Sequence, residues 1–208
     1  PAAVQVVAVT KTLQPDVVQA AVAAGFTAFG ENRVQERDAK AGATATAGVV
    51  WHLIGPLQSN KARRAIELFD VIETVDSLPL AERLSRIADE LRPGRSMRVL
   101  LQVNVDHDAA KAGFSPADLE RDLPSMLELP GVHVDGLMTV GRLVESAEQA
   151  RPTFVALRSV SERLRGVHPA LGPELSMGMS DDYQVAVEEG ATIVRIGRAI
   201  FGARPILG

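Results

Sequence analysis

Short apolar runs alternate with longer segments of helical periodicity along almost the whole chain. The runs contain many β-branched residues and little polar alternation, which is typical of strands buried on both faces. The segments between them carry helix signals, such as Pro15 near a start with Gly25 at the end, and Ser115 before Pro116. The predicted strands are 4–10, 26–30, 49–54, 71–75, 98–105, 132–138, 175–176 and 192–196. The predicted helices are 15–25, 32–41, 59–69, 78–91, one beginning at 115, 146–165, 181–189 and 198–201.

The number and order of these units predict the fold. Strands that alternate with helices form parallel sheets. Eight such units favour a closed (β/α)8 barrel, the TIM barrel, built as one domain from residues 1–208. An open, doubly wound sheet is the alternative architecture.

Composition excludes several classes of function. The net charge of −4 argues against a general attraction to nucleic acid or to an anionic membrane. The absence of cysteine excludes disulfides, thiolate nucleophiles and cysteine zinc sites, and we identify no candidate metal site. We find no membrane span and no signal peptide, so the cytoplasm is the expected location. Because an apolar run follows Pro1 almost at once, we also expect a preceding helix outside this sequence.

Polar and glycine-rich segments follow the predicted strands, where a barrel carries its chemistry. Lys11 follows the first strand, Asn32 the second, and the third runs into "HLIGPLQSNK" from His52. The last two strands run into "SMGMSDD" and "RIGRAIFG". The strands themselves are nearly free of charge, with Arg195 inside strand eight as the exception. We therefore expect the functional site at this rim.

Two of these segments predict a phosphate site. Ser180 is expected at the start of a helix with Gly178 just before it, and Gly197 and Arg198 open the last helical turn. Backbone N–H groups at such positions bind phosphate, and barrels often place that site after strands seven and eight. The alternative is that Ser180 is only a helix cap and Gly197 only a turn residue.

The position of Lys11 suggests imine chemistry, although a lysine that ends a strand can also simply extend to water. Burial and neighbouring cations lower the pKa of a lysine, and the free amine attacks an aldehyde to form a Schiff base. An amine beside a phosphate site suggests pyridoxal 5′-phosphate. Arg195 would then face the ring nitrogen and oppose its protonation. The alternative for Arg195 is a buried ion pair with a strand-end carboxylate such as Glu31.

The chain resembles the pyridoxal phosphate homeostasis proteins, which are similar to the N-terminal barrel of alanine racemase. The matching segments run from residue 8 to 204, and the most specific are "WHLIGPLQSNK" and "SMGMSDD". The resemblance implies a cytoplasmic, monomeric barrel that binds pyridoxal 5′-phosphate as a Schiff base. Such a protein acts as a carrier and buffer rather than as an enzyme, with apo-enzymes that depend on pyridoxal phosphate as candidate recipients.

The resemblance also assigns individual positions. It implies that Lys11 is the Schiff-base lysine and that Arg195 faces the pyridine nitrogen. The remaining implied cofactor-binding residues are Ser180, Gly197 and Arg198 at the phosphate, Asn32 and Met177 at the ring, and His52. His52, Asn60 and Lys61 are expected at the rim, and Lys111 matches a lysine implicated in cofactor handling. The alternative is that His52 is a hydrogen-bonded strand residue and that Lys61 and Lys111 are solvated surface charges. Family members usually have Thr or Ser in place of Arg198.

Two other functions stay open at this point. A small amino-acid racemase would need a second acid or base on the opposite face of the ring. Tyr183 is the only tyrosine, and it does not lie in the segment that supplies the second catalytic base in racemases. A barrel acting on sugar phosphates would use Lys11 as an aldolase-like amine.

Overall fold

The protein is a closed barrel of eight parallel strands in sequential order, as predicted. The structure, a computed structural model, describes residues 4–44, 47–142 and 144–202; both ends of the predicted domain lie outside this part of the chain. The strands are β1 (Gln5–Val9), β2 (Ala28–Glu31), β3 (Val50–Leu53), β4 (Val71–Val75), β5 (Met97–Gln102), β6 (Val132–Met138), β7 (Glu174–Met179) and β8 (Ile193–Ile196).

A helix follows each strand, as the right-handed crossover between parallel strands requires. The helices are α1 (Pro15–Ala23), α2 (Val34–Lys40), α3 (Ala62–Leu68), α4 (Leu78–Leu91), α5 (Pro116–Leu127), α6 (Arg151–Val167), α7 (Tyr183–Glu188) and α8 (Arg198–Phe201). Short 3₁₀ turns, Ser59–Lys61 and Ala147–Ala150, precede α3 and α6. Among the described residues, no helix is long and apolar enough to cross a membrane.

The core has two layers, because alternate side chains of each strand point to opposite faces. The larger apolar cluster fills the space between strands and helices. A smaller cluster joins residues from opposite sides of the barrel and therefore lies inside it; its buried members are Val7, Ala28, Leu100, Met138 and Ile193.

The barrel interior also holds charge that the sequence analysis missed. Glu73 is fully buried in the middle of β4, so the prediction that Arg195 is the exception among uncharged strands is wrong. Glu73 hydrogen bonds to His52 of β3 and to Ser176 of β7, and Ser176 hydrogen bonds to Arg195 of β8. A polar layer therefore crosses the barrel among these four strands.

Candidate functional site

A cavity of about 710 Å³ opens at the carboxyl ends of the strands, where barrels carry their sites. Its walls come from the segments after β1, β2, β3, β6, β7 and β8. Its lining residues are Val9, Lys11, Leu13, Asn32, Ile54, Gly55, Pro56, Val140, Met179, Ser180, Asp181, Arg195, Gly197, Arg198, Phe201 and Gly202.

Lys11 lies in a tight turn directly after β1. The N–H of Leu13 donates to the carbonyl oxygen of Thr10 at 3.0 Å, which closes the turn. Thr12 within it has φ of 67°, a left-handed conformation that a β-branched residue rarely adopts. Side chains in such conformations persist only where the surroundings hold them, so the turn that carries Lys11 is under backbone strain.

A buried ion pair behind this turn fixes its first residue. Lys40 of α2 donates from Nζ to Glu31 Oε1 and to the carbonyl oxygen of Thr10, both at 2.7 Å. The Thr10 hydroxyl donates to the same carboxylate oxygen at 2.7 Å. Burial raises the pKa of Glu31 above its usual value, although Lys40 and Thr10 act in the opposite direction. Since Glu31 pairs with Lys40, it is not the partner of Arg195; the alternative of a buried ion pair holds with another strand carboxylate, Glu73.

Arg195 lies at the inner end of the cavity and is almost completely buried. Its two terminal nitrogens donate to Ser176 Oγ at 2.6 Å and to the carbonyl oxygen of Thr139 at 2.8 Å. The nearest carboxylate oxygen belongs to Glu73, at 3.8 Å. Burial lowers the pKa of Arg195 from its usual value and Glu73 opposes that effect, but a guanidinium stays charged in proteins. A fixed cation therefore borders the cavity.

The segments after β7 and β8 meet at the Ser180 hydroxyl. Its oxygen accepts the backbone N–H groups of Gly197 and Ala199, both at 3.3 Å. A hydroxyl that accepts two hydrogen bonds still has its own proton to donate. Ser180 was expected to start the helix after β7, but that helix begins at Tyr183. The hydroxyl instead accepts backbone N–H groups from the turn that opens α8.

Gly178 is required where β7 turns toward α7. Its φ is +91°, and an added Cβ would approach the Cβ of Ala186 to 2.5 Å. A side chain there would collide with α7, so the glycine of "SMGMSDD" allows β7 and that helix to pack closely.

Arg198 and Asp181 form an ion pair at the mouth of the cavity. Both side chains are mostly exposed, so the pair contributes little to stability. The Arg198 guanidinium is engaged by this pair. The part of the wall beside Ser180 is therefore the backbone at Gly197 and Arg198.

Asn32 is held by a close approach between two loops. A Cβ on Gly55 would overlap the backbone oxygen of Asn32, so only glycine fits in this part of "HLIGPLQSNK". The Thr74 hydroxyl donates to the carbonyl oxygen of Gly55 at 2.8 Å, which anchors that loop to β4.

Six of the eight predicted cofactor-binding residues line this one cavity: Lys11, Asn32, Ser180, Arg195, Gly197 and Arg198. The other two do not. Met177 is buried in the layer between strands and helices. His52 is buried inside the barrel, because the alternation along β3 turns it inward; its expected place at the rim is wrong.

Lys61 ends the 3₁₀ turn before α3 and is not among the lining residues. Lys111 approaches the cavity indirectly, since its Nζ donates to the carbonyl oxygen of the lining residue Val140 at 3.1 Å. Two carboxylates, Asp106 and Asp108, lie 3.7 and 3.9 Å from the same amine. Lys111 is therefore held between the loops that follow β5 and β6.

The lining residues that were not predicted as site residues include Met179, Asp181 and Phe201. Asp181 had a signal, because it stands next to Ser180 in a predicted rim segment. Met179 and Phe201 had none, since an apolar residue beside a glycine is equally typical of a core. Among the described residues, no group of three or more possible ligands could hold a metal ion.

Comparison with known proteins relates this geometry to a family. The model of the alanine racemase N-terminal domain matches residues 1–205. A pyridoxal phosphate homeostasis protein of Aquifex aeolicus is 40% identical, over 94% of this chain and 85% of the relative. The homeostasis protein of Escherichia coli K12 is 39% identical, over 98% and 87% of the two chains.

Solved structures agree with the sequence relatives. PipY of Synechococcus elongatus, solved with pyridoxal phosphate bound, is 46% identical with a TM-score of 0.89, over 97% of this chain and 94% of PipY. An alanine racemase of Clostridium difficile is 14% identical with a TM-score of 0.80, over 99% of this chain and 54% of the racemase, which shows a common fold alone. The chain belongs to the pyridoxal phosphate homeostasis proteins, a family with the barrel of the alanine racemase N-terminal domain.

Proposed function

We propose that this protein binds pyridoxal 5′-phosphate in the cavity, as a Schiff base with Lys11, and serves as an intracellular carrier and buffer of the cofactor. The observation that carries the proposal is that one cavity collects an amine, a hydroxyl with backbone N–H groups beside it, and a buried guanidinium. A phosphorylated pyridine aldehyde has an aldehyde for the amine, a phosphate for the hydroxyl and backbone N–H groups, and a ring nitrogen for the guanidinium. The names and the bound cofactor of the relatives support the same ligand.

The residues present fit the cofactor. Ser180 has a proton to donate, and its oxygen lies against the backbone N–H groups of Gly197 and Ala199. Gly197 has no side chain to keep an anion from this backbone, and backbone N–H groups at the start of a helical turn bind phosphate. Arg198 contributes its backbone here, because its guanidinium is paired with Asp181. We assign the phosphate to these residues.

Arg195 is suited to the ring nitrogen. A guanidinium donates hydrogen bonds and accepts none, so it binds an unprotonated pyridine nitrogen and disfavours its protonation. The bound cofactor supplies an aldehyde for the Lys11 amine and a conjugated ring that acts as an electron sink. A cation at the ring nitrogen weakens that sink, which suits storage better than carbanion chemistry. Asn32 lines the wall beside the ring position.

The lining residues also favour a carrier over a racemase. The ionisable residues that line the cavity in the described part of the chain are Lys11, Asp181, Arg195 and Arg198. Both arginines are poor proton donors, and Asp181 is exposed and paired with Arg198. Tyr183 begins α7 and is not a lining residue. A racemase needs a second acid or base opposite the lysine, and these residues do not provide one.

The test combines absorbance with chemical trapping. Protein loaded with pyridoxal phosphate should show an imine band that borohydride abolishes, with the reduced adduct on the peptide of Lys11 rather than of Lys40, Lys61 or Lys111. Lys11→Ala should lose the band. Lys11→Arg is the matched control, since it retains the charge without the nucleophile and should also lose it. Retention of the imine band in either variant would overturn the assignment.

The carrier role is tested separately. Loaded protein should reactivate a pyridoxal-phosphate-dependent apo-enzyme, whereas protein reduced with borohydride should not. The racemase alternative predicts loss of α-deuterium from labelled amino acids at useful turnover. We expect no such exchange above that of free pyridoxal phosphate, and enzymatic exchange that depends on Lys11 would contradict the carrier proposal.

A further inference from the structure

The hydrogen bonds of the polar layer inside the barrel run in one direction, from Arg195 through Ser176 to Glu73. Because an ionised carboxylate only accepts hydrogen bonds, both partners of Glu73 must act as donors. Ser176 Oγ donates to Glu73 Oε2 at 2.5 Å, and His52 Nδ1 donates to Glu73 Oε1 at 2.6 Å. The Ser176 oxygen is then available as an acceptor, and Arg195 donates to it at 2.6 Å.

Glu73 has the character of a fixed anion. Burial alone would raise the pKa of its carboxyl group, but the hydrogen bonds from His52 and Ser176 and the charge of Arg195 outweigh burial and hold the pKa below its usual value. The carboxylate is completely buried and does not line the cavity. Its contacts with Ser176 and Arg195 connect it to the cavity wall.

Only one of the two ring nitrogens of His52 has a hydrogen-bond partner among the described residues. Its Nδ1 contacts Glu73, while its Nε2 is buried with no hydrogen-bond partner within the described ranges. Burying a polar atom without a partner costs free energy. We therefore expect the role of His52 to be its hydrogen bond to the Glu73 carboxylate.

We propose that Glu73, held by His52, is a positioning residue that fixes the guanidinium of Arg195 through Ser176. Arg195 has two anchored nitrogens, and the carbonyl oxygen of Thr139 anchors the second. With both fixed, the plane of the guanidinium is set before any ligand binds. The guanidinium has three further N–H groups, and Arg195 lines the cavity in which the proposed function places the pyridine nitrogen, so the inference rests on that function.

The arrangement also determines how strongly Arg195 acts. Glu73 Oε2 lies 3.8 Å from the guanidinium and partly compensates its charge inside a low-dielectric barrel. A lone buried guanidinium would be costly and would move toward any water or acceptor in the cavity. The carboxylate therefore holds Arg195 in the barrel wall, where a ligand can meet it without displacing it.

The experiment compares Glu73→Gln and Ser176→Ala with wild type. Each variant is loaded with pyridoxal phosphate labelled with ¹⁵N in the ring, and its ring-nitrogen NMR shift and cofactor dissociation rate are measured. We expect the shift to move toward that of a pyridine without a hydrogen bond and dissociation to become about tenfold faster, equivalent to about 1.4 kcal/mol. Association should change little, because pre-formed contacts act mainly on dissociation. Ser176→Thr keeps the hydroxyl and should restore both readouts.

Asp135→Asn is the matched control. Asp135 is also a buried carboxylate paired with an arginine and a histidine, with Arg98 Nε at 2.6 Å and His133 Nδ1 at 2.7 Å. Arg98 is the second residue of β5, so this cluster lies toward the opposite end of the barrel. The control should destabilise the fold and leave both readouts unchanged.

The outcomes separate the two proposals. If wild type forms no borohydride-trapped adduct on Lys11, the proposed function fails. If it does, and Ser176→Ala and any folded Glu73→Gln protein keep the wild-type shift and dissociation rate, the positioning role fails. Equal changes in Asp135→Asn would also overturn it. Ser176→Ala removes one oxygen and carries the test if Glu73→Gln does not fold.

Discussion

Removing Lys40 should destabilise the protein at neutral pH far more than in acid. Its ammonium lies 2.7 Å from Glu31 Oε1 and 2.7 Å from the carbonyl oxygen of Thr10, and both side chains of the ion pair are buried. Lys40→Met keeps the apolar stem and removes the charge. Breaking one partner of a buried pair typically costs about 3–5 kcal/mol, because the other charge stays buried and uncompensated.

The pH dependence follows from the direction of the Glu31 pKa. Burial already raises it above 4.5, and loss of Lys40 removes the main opposing influence, so the pKa rises further. A carboxyl group with a raised pKa in the folded state binds its proton more tightly there than in the unfolded state. Its contribution to the free energy of unfolding is therefore complete below the unfolded-state pKa and is lost as the pH rises through the folded-state pKa. Near pH 4.5 the variant holds a protonated Glu31 that needs no counter-ion, and the cost should fall.

Urea unfolding at the two pH values measures this difference. We expect a midpoint loss equivalent to at least about 3 kcal/mol at neutral pH and clearly less near pH 4.5. Arg63→Met is the control, since Arg63 pairs with Glu90 on the exposed surface and should change the midpoint little at either pH. A cost for Lys40→Met that is the same at both pH values, or no larger than that of Arg63→Met, would refute the reasoning.

Three further outcomes are expected. Glu73 has a lowered pKa, so it contributes stability above pH 4.5 that is lost as pH falls, and Glu73→Gln should flatten the acid limb of a urea-midpoint profile. The added methyl group of Gly55→Ala should overlap the Asn32 backbone and weaken pyridoxal phosphate binding in a fluorescence titration. Gly42→Ala, at a position with open space around it, should leave binding unchanged. Ser180→Ala should weaken binding of pyridoxal phosphate about tenfold but leave binding of pyridoxal, which lacks the phosphate, unchanged in the same assay.

The barrel was predictable because its signal repeats eight times along the chain. Most strand residues are buried, and some helices carry start signals such as Pro15 and Ser115, so errors of two or three residues at an element's end do not change the order. The helix after β7 illustrates such an error. It begins at Tyr183 because the Asp182 side chain accepts the Met179 N–H and ends the turn there.

The cavity wall was largely predictable for a different reason. Residues that follow parallel strands are brought to one rim by topology alone, so Lys11, Asn32 and Ser180 could be grouped without knowing any contact. Inside the barrel this reasoning fails. Glu73 is one acidic residue within an apolar run, and its partners His52 and Ser176 are separated from it by 21 and 103 positions. Such pairings depend on strand register, which local sequence does not encode.

Two separate buried ion clusters hold the two ends of the cavity. The Glu31–Lys40 pair lies behind the turn of Lys11, and the Glu73 layer lies beneath Arg195. Buried pairs contribute little net stability, yet they fix orientation, since a charge that leaves its partner inside the protein is costly. A site fixed in this way loses little freedom when a ligand binds. That property suits the proposed carrier function, because a preformed site can bind the cofactor without rearranging the barrel.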